Sequence, residues 1–452
     1  MNGPTLLNRN RATLKLLFVG AISLAMLIPL LMVRSIIDER QNMQLTAEAT
    51  IDSRWGGNQV VGGLLALTPA VVKFEVDGKE KTRQEWRANV LPELEIDADM
   101  ETEYRYLGIY EVPVYTANVR LKGRLDWAKL DALKPEGDLD FWLPLGDVRG
   151  VRDTSVLKMG SLEIPARPLS LGNKNNVGLQ FTLPAEARAA VGDEYSLELR
   201  LAGSQCLLFL PLADSTRVTL QTDWPHPEFI GQFLPEQRAV SNDGAEANWR
   251  LLGLNRPYGD QWALESMSGF DLGQAGFGMR LETPVDAYQR SERSVKYGFL
   301  FIALTFFTLF LFEVMTGRPL HPVPYVLTGA ALAVFYLVLL ALSEYISFGA
   351  SFITAASLLV LIVTPYTAAV LGGRKRGVLV GAMMTLTYAL LYALVVAQHA
   401  SLLLGSLALL LAIACLMYLT RGVDWYAYGD LSNPPDDHER FPDGRPVPEP
   451  IQ

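Results

Sequence analysis

Two cysteines, Cys206 and Cys415, and four histidines, His226, His321, His399 and His438, are all that 452 residues supply of the side chains most used for disulfides and metal binding. The cysteines fall in segments too different to meet, so no intrachain disulfide is expected, even in an oxidising compartment. The histidines are scattered through separate segments without metal-ligand spacing, so no metal site is expected. Also missing are a G-x-x-x-x-G-K-[ST] phosphate loop, an H-E-x-x-H zinc helix and a G-x-S-x-G nucleophile elbow, which leaves catalysis and cofactors without positive support. A formal net charge of -9 gives no sign of nucleic-acid binding.

What the chain has is apolar runs. Half of its residues are hydrophobic and its mean hydropathy is +0.19, between the values of a soluble domain and a pure helical bundle. Six segments reach the roughly 17 to 25 apolar residues that a helix needs to cross a hydrocarbon core. They are 16–33, 297–315, 325–342, 348–371, 378–396 and 402–419. The first is short enough to compete with a signal peptide. No small-x-small cleavage triplet follows it, however, and Arg34 to Arg40 read as the start of a helical extension, so an uncleaved anchor is expected.

Lysine and arginine in the short connections set the orientation. Arg9, Arg11 and Lys15 precede the first span, Arg318 follows the second, and Arg374, Lys375 and Arg376 separate the fourth from the fifth. The alternate connections, 343–347 and 398–401, carry neither residue type. This pattern puts residues 1–15 and 420–452 in the cytoplasm and residues 34–296 outside. The tail from Asn433, rich in proline and acidic residues such as Asp436, Asp437 and Glu439, is expected to be disordered.

The inserted region reads as mainly antiparallel β, because apolar residues alternate between Gly, Pro and Asp turn signals. Expected strands are Val71 to Val76 ending at Asp77-Gly78, a pair within Gly108 to Leu125 around Pro113, Tyr195 to Leu201 with Cys206 to Leu210, Arg217 to Gln221, and Phe277 to Leu281. Periodicity leaves a sandwich and an elongated β-rich domain both open. Helical spacing from Ile36 to about Ile51 predicts a stalk continuing the first span. Roughly 260 residues can bury a sufficient core without disulfides.

Ionisable groups at membrane depth are costly and usually mark function. Glu313 and Glu344 are the only carboxylates in or bordering the last five spans, and each is expected at a helix end, reaching toward headgroups. The centres of the third to sixth spans are uncharged, which disfavours an ion-coupled transporter. Pro365 is expected to kink the fourth span, with Thr364 and Thr367 placed to take up freed hydrogen bonds.

Several strings in fixed order then carry a resemblance. They are Trp224-Pro225-His226-Pro227 with Phe229, Gly231 and Phe233-Leu234-Pro235; Thr283-Pro284-Val285-Asp286 with Tyr288-Gln289; Leu320-His321-Pro322; Phe335-Tyr336; Leu339 to Glu344; and Thr420-Arg421 with Asp424-Trp425-Tyr426. Together with the layout of one span, an insert and five spans, they resemble the CreD family of bacterial inner-membrane proteins, up to about Tyr426. Tyr345 departs from a frequent histidine, which weakens a Glu-His pair at that loop, and the tail after Tyr428 runs longer. The resemblance implies a role in envelope integrity, with links to a two-component stress regulator, colicin tolerance and the β-lactam response. It implies no reaction. In a bacterial inner membrane, the outward orientation read from lysine and arginine makes the inserted domain periplasmic.

Candidate sites follow from the residues themselves. Trp224 and His226 sit in a proline-rigid turn, either packed on the sheet or offered as a periplasmic contact. Arg290, Arg293 and Lys296 form a basic group that either holds anionic lipid headgroups or pairs with Asp38 and Glu39 on the stalk. His321 is expected to cap or orient a helix end, and Asp424 and Trp425 to close the last span at the interface. The leading expectation is a non-catalytic protein whose β-domain contacts lipid, cell-wall material or another envelope protein. A lipid or small-molecule transporter built on the five-helix bundle is the alternative, and a membrane enzyme comes third. Oligomeric state stays open.

Overall fold

A computed structural model describes residues 11–76, 79–133, 137–170, 177–264, 275–282, 287–316, 320–397 and 401–421. The chain divides into two compact units, one made of Met1–Asn42 with Val285–Gln452 and the other of Met43–Pro284. Eight α-helices lie among the described residues: α1 Arg11–Ala25, α2 Leu27–Trp55, α3 Trp127–Ala132, α4 Ala287–Thr316, α5 Pro322–Ser343, α6 Phe348–Val370, α7 Arg374–Val396 and α8 Ser401–Thr420.

The first unit is helical. Lys15–Trp55, Ala287–Val314, Pro322–Ser343, Phe348–Val370 and Arg374–Val396 are each long and apolar enough to cross a membrane. Five of the six expected spans are thus present at that standard. Residues 402–419 do form helix α8, but its described apolar stretch, Leu403–Ala414, is shorter than a crossing. Large apolar side chains such as Leu361, Ile353 and Leu386 stay exposed on these helices, as lipid-facing positions do when no water has to be avoided.

The break between α1 and α2 falls at Met26, three residues before Pro29. Proline cannot donate to the carbonyl one turn back, so the ladder loses a bond there. Met26 turns this to use: a methyl group on Gly329 would come within 2.8 Å of its sulfur and 2.6 Å of Phe306. Glycine at this position lets the Met26 and Phe306 side chains lie close against α5. Pro365 lies inside α6 as expected, but the Thr367 hydroxyl donates to Val363 O and Thr364 O. It does not reach the carbonyl of Leu361, the one that Pro365 frees.

The second unit is β-rich. Its organising strand, Lys79–Leu107, pairs through its first half with Leu65–Val76 and through its second half with Tyr110–Arg124. Pro92 stands near the changeover, where a residue without an N–H interrupts no ladder. One sheet continues from Tyr110–Arg124 to Glu194–Ser204 and Val156–Met159, and on the other side to Ala213–Thr222 and Gly244–Leu252. The other joins Leu139–Leu145, Val177–Leu183, Gln59–Val61, Cys206–Phe209 and Phe277–Leu281. Pairing is antiparallel except for Ala213–Thr222 on the long strand and Gln59–Val61 on Cys206–Phe209.

A common core contains Ile96, Val119, Leu197 and Trp249 from the first sheet with Phe141, Phe181, Phe209 and Phe277 from the second. Burying each such side chain contributes about 1.5–3 kcal/mol. Pro113 does not divide Tyr110–Arg124 into two strands; it pairs with Tyr104 inside a continuous hairpin. Phe277–Leu281 matches its expected bounds, and α2 carries the stalk helix on to Trp55.

Candidate functional site

The open face of the first sheet holds a cleft of about 920 Å³. Alternation builds it: Leu94, Leu121 and Leu197 turn into the core, so their neighbours turn out. Glu93, Arg124 and Glu194 stand in one cross-strand row, and Glu95, Lys122, Ser196 and Lys158 in the next. Arg217 reaches in from the parallel neighbour. The ion pairs among them are long and exposed, 3.8 Å for Arg217 to Glu95 and 3.9 Å for Arg124 to Glu194. Such pairs hold only about 0–1 kcal/mol each, so a ligand's charged groups can replace them at little cost. The backbone behind them is fixed by sheet pairing, which gives the cleft a preorganised lining of both signs.

The turn at Trp224 is built differently. Its indole is buried, donating from Nε1 to His226 O at 3.1 Å and Glu282 O at 3.2 Å, with the Tyr104 ring 5.8 Å away. His226 is exposed. The two residues therefore do not present a shared contact, and Trp224 packs the turn against the sheet. Phe229 and Phe233 continue the packing through Trp249 and Phe277, at centroid distances of 5.9, 5.9 and 5.7 Å. Gly231 closes this cluster at φ +100, where a methyl group would stand 2.1 Å from Gly276 O. Gly231→Ala is expected to cost well over 1 kcal/mol, read as a lower melting midpoint of the purified protein.

Cys206 is buried in the same unit, and desolvation raises its thiol pKa, so it lacks the thiolate character of a reactive cysteine.

In the helical unit, Glu313 is held inside the bundle. Its side chain is fully buried and paired with Lys15, whose ammonium also donates to Leu320 O at 2.9 Å, while the Tyr325 hydroxyl donates to the second carboxylate oxygen at 3.1 Å. Glu344, at the opposite end of the bundle, caps α5 and meets Arg40 at 3.6 Å and the Tyr288 hydroxyl at 3.2 Å. Both carboxylates are thus matched by cations of the first helical segment, Lys15 on α1 and Arg40 on α2, 25 positions apart. Arg34 likewise meets Glu292 at 3.6 Å.

His321 stands at the N-cap of α5, accepting from Val323 N at 3.4 Å. Asp38 and Glu39 are exposed and make no ion pair with Arg290, Arg293 or Lys296 among the described residues. Asp424 and Trp425 lie outside the described residues, as do residues 283–286 and the tail.

Residues 11–426 match the family described as Inner membrane protein CreD. The chain belongs to the CreD family. It is 32% identical over 417 residues to the Inner membrane protein CreD of Escherichia coli (strain K12), covering 90% of this chain and 92% of that protein. The chain is therefore a multi-pass inner-membrane protein with a large β-domain inserted after its first helix. Several of the CreD-like strings turn out to be packing elements: Trp224, Phe229 and Phe233 in the β-core, and Phe335 against Tyr388 at 4.6 Å and Phe352 at 5.4 Å among the helices.

The cleft and the cations facing Glu313 and Glu344 were not singled out from sequence. A charge every second residue along Glu93–Asp99 and Arg120–Arg124 was the available signal for the cleft.

Proposed function

We propose that this CreD-family protein supports envelope integrity under stress as a non-catalytic binding or scaffold protein, acting through its β-domain on the periplasmic side. The observation that carries the reading is the mixed-charge cleft, whose polar side chains stand on paired strands and are tied to one another only by weak, exposed bridges. A lining with both signs suits a zwitterionic or polar partner, such as cell-wall material or a segment of another envelope protein. The bias of lysine and arginine toward alternate short connections supports an external β-domain and internal termini. The helices, with Glu313 and Glu344 engaged in ion pairs, support an anchor ahead of a transporter.

The test is in-cell photocrosslinking from Ser196 and Ser215, two small cleft residues. Capture of one envelope species is expected, with loss of capture and of stress complementation in Lys122→Glu/Arg217→Glu at unchanged protein level. Full complementation by that variant would sink the proposal.

A further inference from the structure

The basic group Arg290, Arg293 and Lys296 does not act as a unit. Lys296 is engaged, its Nζ 3.1 Å from Glu292, which also meets Arg34. Arg290 and Arg293 face no carboxylate partner within 4.0 Å among the described residues, and Arg290 instead lies over the Phe348 ring, 5.7 Å from its centroid. A guanidinium stacked on an aromatic face keeps its in-plane N–H donors free, and those donors match phosphate oxygens in pairs. Arg293 follows three positions later on α4, so the two guanidinium groups project from neighbouring points of one helix surface.

Their depth also fits. The apolar run of α4 begins at Tyr297, so Arg290 and Arg293 lie four to seven residues before it, roughly 6–10 Å along a helix. Polar headgroups occupy about 5–7 Å beyond each face of the hydrocarbon core, so Arg293 lies at that depth and the long Arg290 side chain can reach back to it. Phe348, under Arg290, opens the apolar helix α6, whose N-cap Ser347 makes no side-chain cap bond. The N-terminal field of that helix adds to the positive potential of the two arginines.

We infer that Arg290 and Arg293, seated beside Phe348, form a binding site for the phosphate of an anionic phospholipid headgroup. This site is separate from the cleft of the β-domain, and its fate does not depend on what that cleft binds.

The experiment is native mass spectrometry of the full chain released from mixed micelles of phosphatidylglycerol and phosphatidylcholine. The wild type should retain phosphatidylglycerol preferentially. R290Q/R293Q should lower that preference about tenfold or more, since each cation near an anionic surface contributes several-fold. K296Q, which alters a cation already paired with Glu292, should stay within about twofold of wild type. Unchanged preference in R290Q/R293Q overturns the site, as does erasure of the preference by millimolar inorganic phosphate, which would mark a site for a free anion. Should the double variant fail to fold, R293Q alone should give a partial loss, and an unchanged preference there overturns the site equally.

Discussion

Trp224→Ala is expected to lower the stability of the β-domain by about 3–5 kcal/mol, the range for deleting a large aromatic side chain from a core. The indole is 4% exposed, and its N–H is shared between His226 O and Glu282 O. Truncation opens a cavity and leaves two carbonyls without that donor. Trp224→Phe keeps one aromatic ring but loses the donor and part of the indole's volume, for an expected cost of about 1–3 kcal/mol. His226→Ala, on the exposed side of the turn, should stay within about 0.5 kcal/mol of wild type.

Thermal denaturation of the purified protein, followed by limited proteolysis of the β-domain, orders the three variants. In cells, Trp224→Ala should lose complementation together with protein level, and His226→Ala should keep both. If Trp224→Ala melts like wild type and is present at normal level yet fails to complement, the indole acts as a contact and its packing role is wrong.

The helices and the inserted β-domain were legible because both are written in short-range patterns. An apolar run announces a span, and alternation announces a strand. Phe277–Leu281 could be bounded to the residue for that reason. Pro113 was misread as a divider because a proline's cost depends on whether its missing N–H faced a partner, which only the register with Tyr104 decides.

The sites were harder to read because pairing across long sequence distance leaves no local trace. Glu313 was visible as an unusual carboxylate, but nothing near it in sequence points to Lys15, 298 positions away. The basic group near Tyr297 was visible, but its division into one engaged lysine and two arginines without a carboxylate partner among the described residues depends on where Glu292 and Phe348 fall in the bundle. For Trp224 the sequence leaves packing and presentation both open, because rigid turns present and bury side chains with the same residues.

Removing Lys15 is the second large effect expected. Lys15→Ala removes the Lys15 ammonium from the fully buried Glu313, which keeps its Tyr325 hydrogen bond, and breaking a buried pair on one side typically costs about 3–5 kcal/mol. Glu313→Leu is milder, because the Lys15 side chain is 23% exposed and keeps Leu320 O as an acceptor. The double change Lys15→Met/Glu313→Leu removes both charges together, and apolar replacement of a whole buried pair is often neutral.

Melting midpoints in one detergent should therefore fall steeply for Lys15→Ala, less for Glu313→Leu, and return toward wild type in the double variant. Such recovery requires that the two charges interact, since independent sites would add their losses. A double variant as unstable as the sum would show that Lys15 and Glu313 act separately, and the first helix would then be held to α4 and α5 by packing such as Met26 against Gly329 and Phe306.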